Sequence, residues 1–173
     1  IDNGAAIIND VSGLRWDKRL AKVAADNGAG LILMHSRGSF ETMHSDLPIE
    51  DIFEDLFNSL TDSLSIAKRS DVSDEQIVLD IGIGFGKTFE QNLELLRRID
   101  EIATAFSPKP LLVGASRKSF LGKLLSNRPV DERLGGSVAS ALVAIKNGAK
   151  IVRVHDVKET VDAIKVAREL GLF

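Results

Sequence analysis

Lys118 stands in the run Ser116-Arg117-Lys118-Ser119, and Arg153 and His155 stand in Arg153-Val154-His155-Asp156. Residues two apart on an extended chain project to the same side. Arg153 and His155 therefore pair a permanent cation with a titratable ring, which suits a phosphate group. Val152 and Val154 face the other way. Lys118 could be read as a Schiff-base lysine, but such a lysine wants an apolar setting within a strand. In its cationic polar loop it reads as a hydrogen-bond donor or anion ligand. Asp80 opens a glycine-rich run, Gly82-Ile83-Gly84-Phe85-Gly86-Lys87-Thr88. A phosphate-binding P-loop would need glycine at Ile81, and the dinucleotide spacing of glycines also fails. Glycine at every second residue lets the backbone approach a flat ligand and leaves Phe85 as a lone aromatic wall. The plainer reading of that run is a tight turn. His35 and His44 have no ligand partner at metal spacing and read as structural or loop residues.

These residues must be held by the elements around them. Apolar runs at 5–8, 30–34, 77–79, 111–113 and 151–154 alternate with amphipathic segments at 17–26, 49–67, 89–103, 131–146 and 157–170. Ile49, Ile52, Phe53, Leu56, Phe57, Leu60, Leu64 and Ala67 form one stripe of a long helix. Continuous apolar strands with helices between them predict a parallel sheet buried on both faces. Ligands in such folds sit where the strand C-termini open. All five runs end there in polar residues: Asn9-Asp10, His35-Ser36-Arg37, Asp80, Ser116 to Ser119, and Arg153 to Asp156. Asn9 or Asp156 taken alone could equally cap the next helix. Taken together, the five ends point to one shared site.

Asn-Gly-Ala occurs at 3–5, 27–29 and 147–149, each time just before an apolar strand. It reads as a helix C-cap feeding a strand. The first copy would close a helix that precedes the sequence. The expectation is a single α/β domain over 1–173, the C-terminal five units of a longer (βα) barrel, lacking about three of eight units. Such a fragment is expected to leave the barrel open.

Composition narrows the function. The 173 residues are 44% hydrophobic and 27% charged, with a net charge of −3, as in globular domains that do not bind nucleic acid. Cysteine is absent, which removes disulfides, thiol catalysis and cysteine-bound zinc. No apolar run approaches the ~20 residues of a membrane span. With no Tyr and 5% aromatics, the core must be aliphatic.

Ile7-Ile8-Asn9-Asp10-Val11-Ser12-Gly13, Leu33-Met34-His35, the Asp80 to Thr88 run, Ser116-Arg117-Lys118-Ser119-Phe120-Leu121-Gly122 and Arg153-Val154-His155-Asp156-Val157 resemble, in order, the successive motifs of dihydropteroate synthases. The resemblance implies a (βα)8 TIM barrel. It implies condensation of a dihydropterin diphosphate with p-aminobenzoate in folate synthesis, by a cytoplasmic homodimer open to sulfonamide competition. By resemblance Asp80 and Asn9 bind the pterin, with Lys118 donating to the ring. Arg153 covers the ring and, with His155, holds the diphosphate; Phe85 and Ser119 line the p-aminobenzoate site. Lys118, Arg153 and His155 would be the catalytic residues. Mg²⁺ is implied as cofactor, with its ligand expected outside this sequence. Two positions depart from the family pattern: Ile81 stands where Pro is usual, and Gly38-Ser39-Phe40 replaces Gly-Thr-Pro. Methyltetrahydrofolate methyltransferases share this type of barrel, and a non-catalytic pterin-binding fragment is a further alternative.

Overall fold

Each apolar run is followed by a helix that returns the chain to the same end, so the strands line up in parallel. The computed structural model describes residues 1–173. Its strands are β1 (Ile7–Asp10), β2 (Gly30–Met34), β3 (Ile77–Asp80), β4 (Leu111–Val113) and β5 (Ile151–Val152). Its helices are α1 (Arg19–Asp26), α2 (Ile52–Arg69), α3 (Phe89–Arg97), α4 (Ile99–Ala105), α5 (Ser119–Leu124), α6 (Leu134–Lys146) and α7 (Val157–Glu169). The strands pair in chain order, all parallel, and β1 and β5 are the two edges of an open sheet.

Register divides the sheet into two faces. Leu31, Leu33, Leu79, Leu111 and Val113 point toward the helices and are fully buried there. With Leu56, Leu60, Leu95, Ile99 and Ile102 they make an aliphatic core. The opposite face carries Asn9, Val78, Asp80, Leu112 and Ile151. At its edges Ile7 is 60% and Ile151 39% exposed, so this face is the concave side of an unclosed barrel wall.

Local chemistry explains the boundaries. Asp51 caps α2 by accepting from the Phe53 and Glu54 amides, both at 2.9 Å. The helix therefore starts at Ile52, and Ile49 lies outside it. The two Asn-Gly-Ala caps form as read. Gly28 and Gly148 have φ of 59° and 109°, while the Ala29 and Ala149 amides reach back to the Ala24 and Ala144 carbonyls at 3.0 and 2.9 Å.

Four expectations need correction. The first strand runs two residues further along than the apolar run, and the last ends at Val152. The segment 89–103 breaks at Arg98, whose φ of −114° leaves the helical region. Its guanidinium pairs with Glu94 and Glu101 and stacks on Phe53, its central carbon 3.6 Å from the ring centre. The segment 131–146 becomes a helical turn at Val130–Glu132 followed by α6. Helix α5 was not anticipated.

Candidate functional site

The polar strand ends sort by the face they occupy. Asp10 is buried toward the helices, where Oδ1 accepts from the Ser12 amide and hydroxyl at 2.9 and 2.7 Å, and Oδ2 from the Leu14 amide at 2.6 Å. It turns the chain and is not available to a ligand. Asn9, one residue earlier, is exposed on the concave face. Asp156 does not cap α7 with its side chain; it pairs with Arg117, whose Nε lies 3.1 Å from Oδ2.

Asp80 sits at the centre of the concave face and is almost fully buried. Oδ1 accepts from the Gly82 amide at 2.8 Å, while Oδ2 has no partner. Burial pushes its carboxyl above the ordinary range, opposed by the Gly82 bond and by the charges of Arg153, Lys118 and Lys87. A buried carboxylate oxygen left bare beside three cations is an acceptor waiting for a donor.

Lys118 is half-buried. Its ammonium donates to the Ile83 carbonyl and lies 4.0 Å from the centre of the Phe85 ring. Burial, reinforced by Arg153 and opposed by Asp80, pushes it down to about 8. Within its cationic polar loop the lysine thus lies against an aromatic face. Phe85 is not a lone wall, since the His44 ring lies 5.0 Å from it, centre to centre.

Arg153 lies over Gly114, where an added Cβ would come within 3.4 Å of its Nε. Exposure alternates from Ile151 through Arg153 to His155, which places both the Arg153 and His155 side chains on the concave side. The His155 Nδ1 is 3.0 Å from the Ser116 hydroxyl, leaving Nε2 free. Ser119 is exposed and lines a small cleft with His44, Gly84 and Lys87. Asp80, Lys118, Arg153 and Phe85 are thus brought together. Asn9 lies two strands away on the same face, and Ser119 lies beyond Gly84.

The glycine run works differently from the expectation. Gly82 has φ of 63°, and a Cβ there would fall 1.8 Å from the His35 carbonyl. It therefore makes room for the chain's own neighbouring loop. Only Gly84 faces the site, with Lys118 Cδ 2.8 Å from an added Cβ. Two residues hold this run that sequence reasoning passed over. Asn92 accepts from the Gly84 amide at 2.6 Å and donates to the Lys87 and Thr88 carbonyls. Lys87 is buried among backbone carbonyls. His35 is buried as well, its Nε2 3.1 Å from Asp55, which Arg37 also contacts at 3.1 Å.

The structure contains no cluster of three or more His, Cys, Asp or Glu side chains that could hold a metal ion. No helix is long and apolar enough to cross a membrane.

Comparison with known proteins places this geometry. The chain is 44% identical over 167 residues to a dihydropteroate synthase of Clostridium beijerinckii, covering 96% of this chain and 58% of that protein. It is 42% identical to that of Synechocystis, with 96% and 57% covered. The chain therefore spans somewhat under three-fifths of these relatives' length. Among solved structures, the dihydropteroate synthase of Stenotrophomonas maltophilia superposes with a TM-score of 0.91 at 37% identity, over 98% of this chain and 63% of that one. That of Thermus thermophilus, in complex with 4-aminobenzoate, gives 0.90 at 38% identity over 98% and 64%. The model of the pterin binding enzymes matches residues 1–155. With that match covering most of its length, the chain belongs to the pterin binding enzyme family.

Proposed function

We propose that the chain forms the pterin-holding part of a dihydropteroate synthase. The reaction joins 6-hydroxymethyl-7,8-dihydropterin diphosphate to p-aminobenzoate, giving 7,8-dihydropteroate and diphosphate. The observation that carries this reading is the bare, buried Oδ2 of Asp80. A pterin edge offers an amino group and a ring N–H side by side, and a carboxylate accepts both with charge assistance. Oδ1 keeps a second lone pair beside its bond to Gly82. Lys118 would donate to the oxygen and nitrogen side of the ring, and Asn9 would read neighbouring ring atoms. Arg153 would cover the ring and, with His155 Nε2, hold the diphosphate. Phe85 and Ser119 would line the p-aminobenzoate site, for which sulfonamides compete.

In the transfer, the amine nitrogen of p-aminobenzoate bonds to the methylene carbon as its bond to the diphosphate oxygen breaks. The electron pair leaves with diphosphate and the amine releases a proton to the medium. Fixed donors aimed at the departing charge act electrostatically, each worth about 3 kcal/mol. Mg²⁺ belongs to this reading as the cofactor that would help to hold the diphosphate, and no role above is routed through it. The reading extends to a cytoplasmic homodimer, in which the exposed Val143 of α6, Val161 and Val166 of α7 and Leu170 just after it supply apolar surface.

The test is turnover by the whole gene product. Diphosphate release that requires p-aminobenzoate supports the proposal. Pterin binding without condensation would leave a binding protein, and methyl transfer from methyltetrahydrofolate would move it to the methyltransferases.

A further inference from the structure

Lys87 is 2% exposed, and its ammonium donates to the carbonyls of His35 at 3.2 Å, Gly82 at 2.8 Å and Phe85 at 3.2 Å. An ammonium has three donors, and this cage uses them all. The carbonyls come from two places: the residue after β2 and the glycine run after β3. Gly82 links the lysine to the site, because its carbonyl binds Lys87 while its amide binds Asp80 Oδ1.

Charges face Lys87 from every element around it. Asp80 comes from β3, Asp55 from α2, Arg37 from the loop after β2 and Lys118 from the loop after β4, with the buried His35 ring beside them. Burial pushes the ammonium down to about 7, with Asp80 and Asp55 opposing and Lys118 and Arg37 adding to the fall. The unfolded lysine titrates at 10.5, so the folded protein binds this proton less readily and loses stability as pH falls from 10.5 toward 7.

We propose that Lys87 is a positioning residue for the ring-binding site: it clamps the glycine run onto the end of β2 and stands as the internal counter-charge behind Asp80, so that Asp80 presents a free anionic oxygen. The inference rests on the pterin reading of that site. Lys87 gives all three of its donors to backbone carbonyls. It acts through Gly82, which aims the carboxylate, and through its charge, which joins those of Arg153 and Lys118 in opposing the rise that burial gives the Asp80 carboxyl.

The test uses Lys87→Met in the whole gene product. Affinity for 6-hydroxymethylpterin is measured by calorimetry from about pH 5 to about pH 9, with melting curves alongside. Affinity at neutral pH is expected to fall at least about tenfold, and its acid limb to move to higher pH, because Asp80 loses a neighbouring cation. An acid limb that stays in place, whatever the melting temperature does, overturns the proposal. Should the variant fail to fold, carbon NMR of the unaltered, ligand-free protein decides the matter. The Asp80 carboxyl resonance is expected to shift as Lys87 titrates. An Asp80 resonance that does not respond when Lys87 titrates overturns the counter-charge role. Wild-type protein that binds no pterin would instead remove the reading of the site, and the ligand-free NMR result would still stand by itself.

Discussion

Changing Asp80 to asparagine keeps the shape of the side chain and removes its charge. The asparagine carbonyl can keep the 2.8 Å bond from the Gly82 amide, so its NH₂ takes the place of the bare Oδ2. A pterin N–H arriving there would meet a donor instead of an acceptor. The loss is one charge-assisted hydrogen bond, about 1.5–3 kcal/mol, or roughly ten- to hundredfold in dissociation constant. Stability should move differently. Burial raises the Asp80 pKa, so the folded state holds this proton more tightly than the unfolded one. Wild-type stability is therefore full below the unfolded pKa and falls as pH rises through the folded one. Asparagine has no such loss, so its urea midpoint at neutral pH should not lie below that of wild type. Calorimetric titration of the whole gene product with a dihydropterin, beside urea unfolding, reads both quantities. An unchanged dissociation constant would show that Asp80 only shapes the Gly82 turn. A drop in stability that accounts for the lost affinity would show that the site was never addressed.

Burial holds the His35 imidazole down to about 4, with Lys87 adding and Asp55 opposing. Its neutral form contributes stability in full above the unfolded value of 6.5, and this is lost as pH falls toward 4, by about 3 kcal/mol at the low end; His35→Gln should flatten that slope in unfolding measured across the range, and an unaltered slope refutes the assignment. Asn92→Ala leaves the Gly84 amide without its acceptor and should cost about 1–3 kcal/mol, with fast hydrogen exchange at Gly84 as the specific sign; continued protection of that amide would contradict the role. Arg153→Ala should weaken binding of the pterin diphosphate and slow transfer, while p-aminobenzoate binding stays intact once pterin and diphosphate are saturating. Loss of p-aminobenzoate affinity alone would place Arg153 on the other substrate.

Much of the fold was legible because its signals are local. Leu31, Leu33 and Leu79 announce strands buried on the helix side, and Asn27-Gly28 and Asn147-Gly148 announce the caps that feed them. The break at Arg98 was not legible. Its neighbours keep helical spacing, and the Phe53 ring that Arg98 stacks on lies far away in sequence. Helix α5, Ser119–Leu124, is too short to show a period. The site divides in the same way. Asp80, Lys118, Arg153 and His155 could be singled out as candidates because their types are ionisable and they follow strand ends. Lys87 and Asn92 could not, because their partners are backbone atoms that carry no residue signature. The bonds from Lys87 to the His35 carbonyl and from Asn92 to the Gly84 amide exist only once the loops meet. The one available hint was a lysine inside a run of glycines, where a solvated side chain has little to cover it.

The central claim is that the bare oxygen of Asp80 anchors a pterin. A crystal structure of the whole gene product with 6-hydroxymethylpterin tests it most directly. The account predicts the amino group and ring N–H of the pterin about 2.7–3.2 Å from the Asp80 carboxylate, with one of them on Oδ2 and the ring between Lys118 and Arg153. A pterin bound elsewhere, with Oδ2 satisfied by the protein or by water alone, would contradict it.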